Sequence, residues 1–331
     1  MTVGGEDVFM HRKIRASNHE IPVSLSHEWP GNQPHWITIK DILWALYLYP
    51  GVWISRKSLP CLTWILRVAE PVFQFLTLSQ KKNLIRNLAI AFGPSTPSSM
   101  LKAMARRIIA NAVRQAADDL LLLRDDVPVR CHSFRGREHL DAALSRGKGV
   151  LLVSLHWFAN RASNRYLATL GYPVMTVRNQ KPPDMRMGRL GQRSLQPKYV
   201  DLLHEVIRDE IFIQDRECSL KILRRLRSGG IVEMQVDVPF SHHLIVRSFL
   251  GRPRPFPAGP LHLARTSGCV VLPKLAIGHT ESLEIQIGHP LAMDLRLPME
   301  TFYESHLSAM LQILGSHALE HPDQWELWIK L

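Results

Sequence analysis

Gly149-Val-Leu-Leu-Val-Ser-Leu-His156-Trp-Phe-Ala-Asn-Arg161 is the stretch whose reading decides the fold. A short apolar run opens it, of the length and composition of a buried strand. The run ends on a histidine, and a polar segment follows at once. In an open α/β sheet, ligands sit outside the carboxyl ends of the strands. An imidazole there is positioned to act as a general base. The ordinary alternative is a hydrogen-bonded histidine at the rim of a core.

Outward from this stretch, strands and helices alternate. Residues 150–155, 174–177, 231–236, 270–276 and 283–287 read as strands, and 161–170, 218–227 and 260–266 as helices. Ser228-Gly229-Gly230 supplies a glycine stop after the second of these helices. Such alternation predicts a mostly parallel sheet with helices on its faces. Upstream, Thr96-Pro97 reads as a helix start, with threonine as cap and proline in the first turn. Leu101, Met104, Ile108 and Ala112 then form one apolar stripe at helical spacing.

Residues 1–36 are polar, with scattered His, Asn, Gly and Pro, and read as a flexible leader. Ile42-Leu-Trp-Ala-Leu-Tyr-Leu-Tyr49 is apolar but stops at Pro50-Gly51, and Arg67 and Glu70 interrupt the run from Leu62 to Leu78. Neither reaches the ~20 apolar residues of a spanning helix. The region 37–78 is either an interfacial helix with Trp44, Tyr47, Tyr49, Trp53 and Trp64 near headgroups, or a helical hairpin packed on the domain.

The chain has 331 residues, 46% of them hydrophobic and 21% charged, which excludes wholesale disorder. Its 41 basic and 29 acidic residues give a net charge of +12. That excess predicts an anionic partner: a membrane surface, phosphopantetheine on an acidic carrier protein, or coenzyme A. No nucleic-acid recognition motif accompanies it. Cys61, Cys131, Cys218 and Cys269 are far apart and suggest neither a zinc site nor a disulfide framework. His242-His243 lacks further ligands at metal-binding spacing. No G-x-S-x-G elbow, P-loop or G-x-G-x-x-G supports serine hydrolysis or nucleotide chemistry. The N-terminus shows no secretory signal, so a cytoplasmic location is expected.

Gly147-Lys-Gly149, the strand after it and His156 together resemble the signature of the bacterial lipid A biosynthesis acyltransferases of the lauroyl/myristoyl type and their phosphatidylinositol mannoside acyltransferase relatives. The resemblance extends in order through Arg86-Asn87-Leu88 with Phe92, Phe134-Arg-Gly136-Arg-Glu-His-Leu140, Arg178, Asp237, Phe249-Leu-Gly251, Pro257-Ala-Gly259-Pro260, Ala264-Arg265 and His321-Pro-Asp-Gln-Trp325. It implies a three-layer α/β sandwich with a mostly parallel central sheet, residues 37–331 forming one domain whose helical N-terminal part covers 37–125. It also implies acyl transfer from a thioester, on acyl carrier protein or coenzyme A, to a hydroxyl or amine, with His156 as base. No metal or tightly bound cofactor is implied. In the family residues 37–78 often carry a membrane-spanning helix, weakened here; with the aromatic residues and the +12 charge, a peripheral position on the inner face of the cytoplasmic membrane joins the cytoplasmic expectation.

The family's acid five residues after the histidine is Arg161 here. A nearby guanidinium disfavours imidazolium, whereas a carboxylate supports it. Three readings follow. Asp237, which otherwise reads as a turn residue, replaces the acid. Arg161 binds an anionic substrate group. Or the chain is a degenerate member that binds an acylated carrier protein or performs another reaction on a thioester-bound chain. Arg178, at the end of the next strand, is expected to hold a phosphate by paired hydrogen bonds, with Arg186, Arg189 and Arg193 thickening the basic rim.

Overall fold

The computed structural model describes residues 36–58, 78–179, 187–241 and 243–330. Residues 1–35 of the leader, and Cys61, Trp64, Arg186 and His242, lie outside them.

At the centre lies the predicted strand. β2 (Val150–Ser154) has every residue buried, so helices cover both faces of the sheet there. The sheet has seven strands, in the order β1 (Cys131–Arg135), β9 (Leu283–Ile287), β8 (Val270–Ile277), β2, β5 (Ile231–Gln235), β3 (Val174–Arg178), β4 (Glu210–Phe212). The run from β8 to β4 is parallel. β9 is antiparallel to β8, and β1 is parallel to β9. β6 (Leu244–Phe249) and β7 (Arg252–Pro257) form a separate antiparallel hairpin. The expected mostly parallel α/β sandwich is thus the observed fold, and each predicted strand lies within a residue of its observed ends.

The helices are α1 (Ile39–Leu46), α2 (Val52–Lys57), α3 (Leu78–Phe92), α4 (Ser98–Leu122), α5 (Arg137–Leu144), α6 (Asn160–Thr169), α7 (Arg189–Val206), α8 (Cys218–Arg227), α9 (Gly259–Ser267) and α10 (Met299–Glu320). α8, α9 and α10 pack side by side over β5, β2 and β8, while α6 lies on β3 and β9 and meets α4. Leu101, Met104 and Ile108 of the predicted α4 stripe are buried.

Two local expectations are corrected. Thr96 does not cap α4. Pro97 occupies that position with extended ψ, and the Thr96 hydroxyl donates instead to the Phe92 carbonyl at 3.0 Å, closing the end of α3. Nor does the first apolar run stop at Pro50-Gly51. A π-helical turn over Tyr47–Gly51 absorbs the proline and joins α1 to α2. The wider π turn accommodates a residue that offers no N–H to the turn before it. α1 itself starts on a Thr38–Asp41 capping box, and Asp41 also accepts the Gly188 N–H at 3.0 Å, tying this segment to the start of α7.

Gly149 is required by geometry. Its φ is +70°, and a Cβ there would lie 2.2 Å from the Leu226 carbonyl oxygen of α8. The glycine lets β2 enter the sheet directly beneath the end of that helix.

Candidate active site

Register brings the site together. Ser154, the last residue of β2, pairs with Gln235, the last residue of β5. Two residues past each strand stand His156 and Asp237. Parallel neighbours in register deliver their following residues to one place, and these two side chains meet there. His156 Nδ1 lies 2.5 Å from Asp237 Oδ1, and the His156 backbone N–H donates to Oδ2 at 2.8 Å. The buried Trp325 indole donates to the same Oδ2 at 2.7 Å. Asp237 is 1% exposed and the imidazole 24%, so the ring alone reaches the surface.

Burial drives the Asp237 carboxyl upward, but the His156 charge and the donated hydrogen bonds outweigh it and hold the group below the usual carboxylate range. A carboxylate at Nδ1 fixes the ring, puts the Nδ1 proton toward Asp237, and leaves Nε2 as the acceptor.

The C-terminal segment clamps this turn. Glu326 N–H donates to the His156 carbonyl at 2.9 Å, Phe158 N–H to that of Gln324 at 3.0 Å, and Trp157 bridges to Trp325. Asn87 in turn donates to the Trp328 carbonyl at 2.8 Å. Two sequence motifs nearly 240 residues apart therefore serve one function: they hold the histidine turn. The sequence marked Trp325 as the end of the closing family motif but gave it no role. Its burial and indole hydrogen bond exist only in the fold.

Arg161 and Arg178 both stand in ion pairs. Arg161 Nη1 donates to both oxygens of Asp119 in α4, at 2.8 and 2.7 Å. Tyr47, Tyr199 and Glu326 share its electrostatic surroundings. Burial opposes the guanidinium charge, but Asp119 outweighs it and keeps the group firmly protonated. Arg178 pairs with Glu210 on the adjacent β4 and lies 5.9 Å from the Phe212 ring centre. Both were expected to hold an anionic substrate group; in the fold each guanidinium meets a carboxylate of its own chain. Asp119 and Glu210 gave no sequence signal, because partners 42 and 32 residues away are set by packing alone.

Beneath the dyad lies a polar cluster inside an otherwise apolar sheet. Lys274 of β8, with no exposure, meets Glu233 of β5 at 2.7 Å, and donates to Ser163 Oγ at 2.9 Å and Asn164 Oδ1 at 2.6 Å, both on α6. Ser154 donates to Glu233 at 2.9 Å. The strand pattern hid Ser154, Glu233 and Lys274, each a single polar position in an apolar run.

Residues 36–330 match the family described as bacterial lipid A biosynthesis acyltransferase. Among solved structures, the 1-acyl-sn-glycerophosphate (LPA) acyltransferase PlsC from Thermotoga maritima aligns with a TM-score of 0.33 and 12% identity, over 84% of this chain and 97% of that one. No curated relative matches. With the match running from Trp36, just before α1, to the tail that holds the histidine turn, the chain belongs to the bacterial lipid A biosynthesis acyltransferase family.

Proposed function

We propose that the protein transfers an acyl chain from a thioester to a hydroxyl or amine acceptor, with His156 as general base and Asp237 as its carboxylate partner. The observation that carries this reading is the 2.5 Å contact between His156 Nδ1 and Asp237 Oδ1 at adjacent parallel strand ends. Asp237 supplies what position 161 lacks. Nε2 takes the acceptor proton as the acceptor oxygen or nitrogen attacks the thioester carbonyl. The new C–O or C–N bond forms, the C–S bond breaks, and the leaving thiolate recovers the proton from the imidazolium. Asp237 steadies the positive ring in between. The donor is the thioester of acyl carrier protein or coenzyme A; either carries phosphate, which suits a chain of net charge +12. Arg161 and Arg178 serve this site as framework rather than as ligands.

The same reading places the protein on an anionic membrane surface. Trp36, Ile39, Ile42, Leu46, Tyr49 and Trp53 are exposed along α1, the π turn and α2. Lys198 lies 5.2 Å from the Tyr49 ring centre and Arg189 5.9 Å from that of Trp36, so cations flank the apolar stripe. Apolar and aromatic residues rimmed by basic ones match an interfacial segment. Among the described residues, no helix is long and apolar enough to cross a membrane.

The test is turnover of His156→Ala with acyl carrier protein and coenzyme A thioesters, with folding checked by circular dichroism. The expected loss is about 10²–10⁴-fold, the usual contribution of a positioned general base. Near-normal turnover would remove His156 from the mechanism.

A further inference from the structure

Arg161, Arg178 and Arg247 have carboxylate partners, Asp119, Glu210 and Glu304. Arg254 does not. It lies on β7 of the hairpin, directly across from Arg247. The hairpin is seated on the dyad's own support, with Phe249 at 5.8 Å from the Trp325 ring centre and Phe256 against Phe249.

Arg254 Nη1 is buried, and no group among the described residues accepts a hydrogen bond from it. The charge that supports it is that of Asp237. No hydrogen bond joins it to Asp237, whose two oxygens take three other donors, from His156 Nδ1, the His156 backbone and Trp325. A guanidinium stays charged at any working pH. A buried N–H of such a group left unpaired is unfavourable. Burial works against its charge, Asp237 supports it and neighbouring Arg252 opposes it.

We propose that Arg254 is an anion-binding residue beside the dyad, taking a phosphate oxygen of a bound reactant on Nη1. Phosphate is the class that fits, since a planar guanidinium offers directed N–H groups to tetrahedral oxyanions. Two sources carry that chemistry: the pantetheine phosphate of the donor, or a phosphate on the acceptor. The assignment rests on the acyl-transfer reading for the identity of those reactants, though not for the presence of the anion site itself.

The Trp325 indole N–H, hydrogen-bonded to Asp237, is a buried reporter beside the dyad. Inorganic phosphate titrated into the ¹⁵N-labelled full chain is expected to move its signal saturably. Arg254→Met should weaken that binding roughly tenfold or more, as loss of a charged hydrogen bond does. Arg254→Lys should weaken it less, since it keeps the charge without the fork. Thermal unfolding of Arg254→Met confirms an intact fold. A saturable shift unchanged in Arg254→Met overturns the assignment, and so does a wild-type shift that stays linear. Phosphopantetheine binding more tightly than pantetheine places the phosphate on the donor; glycerol 3-phosphate binding more tightly than glycerol places it on the acceptor. A preference for neither phosphorylated probe overturns the proposal. His156→Ala should keep phosphate binding. If phosphate binds and His156→Ala still turns over, the acyl-transfer mechanism fails while the anion site stands.

Discussion

At the scale of single residues, the exchange of acid for base at position 161 is offset twice over. Asp237 gives His156 its carboxylate from the neighbouring strand, and Asp119 gives Arg161 a counter-charge from α4. Restoring the family acid is therefore expected to fail. Arg161→Glu sets a carboxylate against the buried Asp119. Its expected destabilisation is about 3–5 kcal/mol by urea unfolding, the usual consequence of breaking a buried pair, with no gain in transfer. A gain in turnover with an unchanged unfolding midpoint would return Arg161 to the catalytic centre. Asp237→Asn tests the other half. Because Asp237 is held below the usual carboxylate range, its contribution to stability is fully present above the unfolded value of about 3.9 and is lost as pH falls through its lower folded value. Asp237→Asn should flatten that acid limb in pH-dependent unfolding and lower turnover at neutral pH. An acid limb as steep as the wild type's counts against the ionised dyad.

At the scale of elements, β2 and the α1–α2 segment carry distinct tasks. β2 enters the sheet through Gly149, and any side chain there meets the Leu226 carbonyl. Gly149→Ala combines a positive φ with a backbone clash, so a loss of more than about 1–2 kcal/mol is expected, the left-handed penalty alone; a loss of a few tenths would mean that α8 moves freely over the strand. The α1–α2 stripe lies away from the core, with Trp53 64% and Ile42 54% exposed. In flotation with anionic vesicles, the triple change Ile42→Ser, Leu46→Ser and Trp53→Ser should abolish most binding at low salt, while leaving the unfolding midpoint near that of the wild type. Equal flotation of both proteins would assign the stripe another partner.

Across the whole molecule, Lys274 and Glu233 join β8, β5 and α6 beneath the dyad, with Ser154 of β2 on the same carboxylate. Burial lowers the Lys274 pKa, and Glu233 opposes that shift. Lys274→Met alone leaves Glu233 buried and unpaired, and about 3–5 kcal/mol of destabilisation is expected. Pairing it with Glu233→Leu should recover much of that loss. Denaturant unfolding of the three variants measures the coupling, and additive losses would show that the pair does not act as a unit.

The sequence by itself determined β2, β3, β5, β8 and β9, their order of appearance, the family and the placing of His156 at a strand end, but not β1, β4 or the β6–β7 hairpin. Apolar runs of strand length bounded by glycines and polar turns are local signals, and a histidine directly after one is read without knowing its neighbours. Asp237 was legible only as an acid after another strand. What made it the partner of His156 was the placement of β5 beside β2, in register, and no property of residues 231–237 alone specifies that neighbour. The same holds for Asp119, Glu210, Trp325 and Lys274. Each is one polar or aromatic residue in an ordinary local context, and each acquires its role from a side chain dozens or hundreds of positions away. Local patterning fixes which elements form, because hydrogen bonding and side-chain periodicity act over a few residues. Which charges meet is decided by tertiary packing, since burial makes an unpaired charge unfavourable and only the folded arrangement supplies the counter-charge.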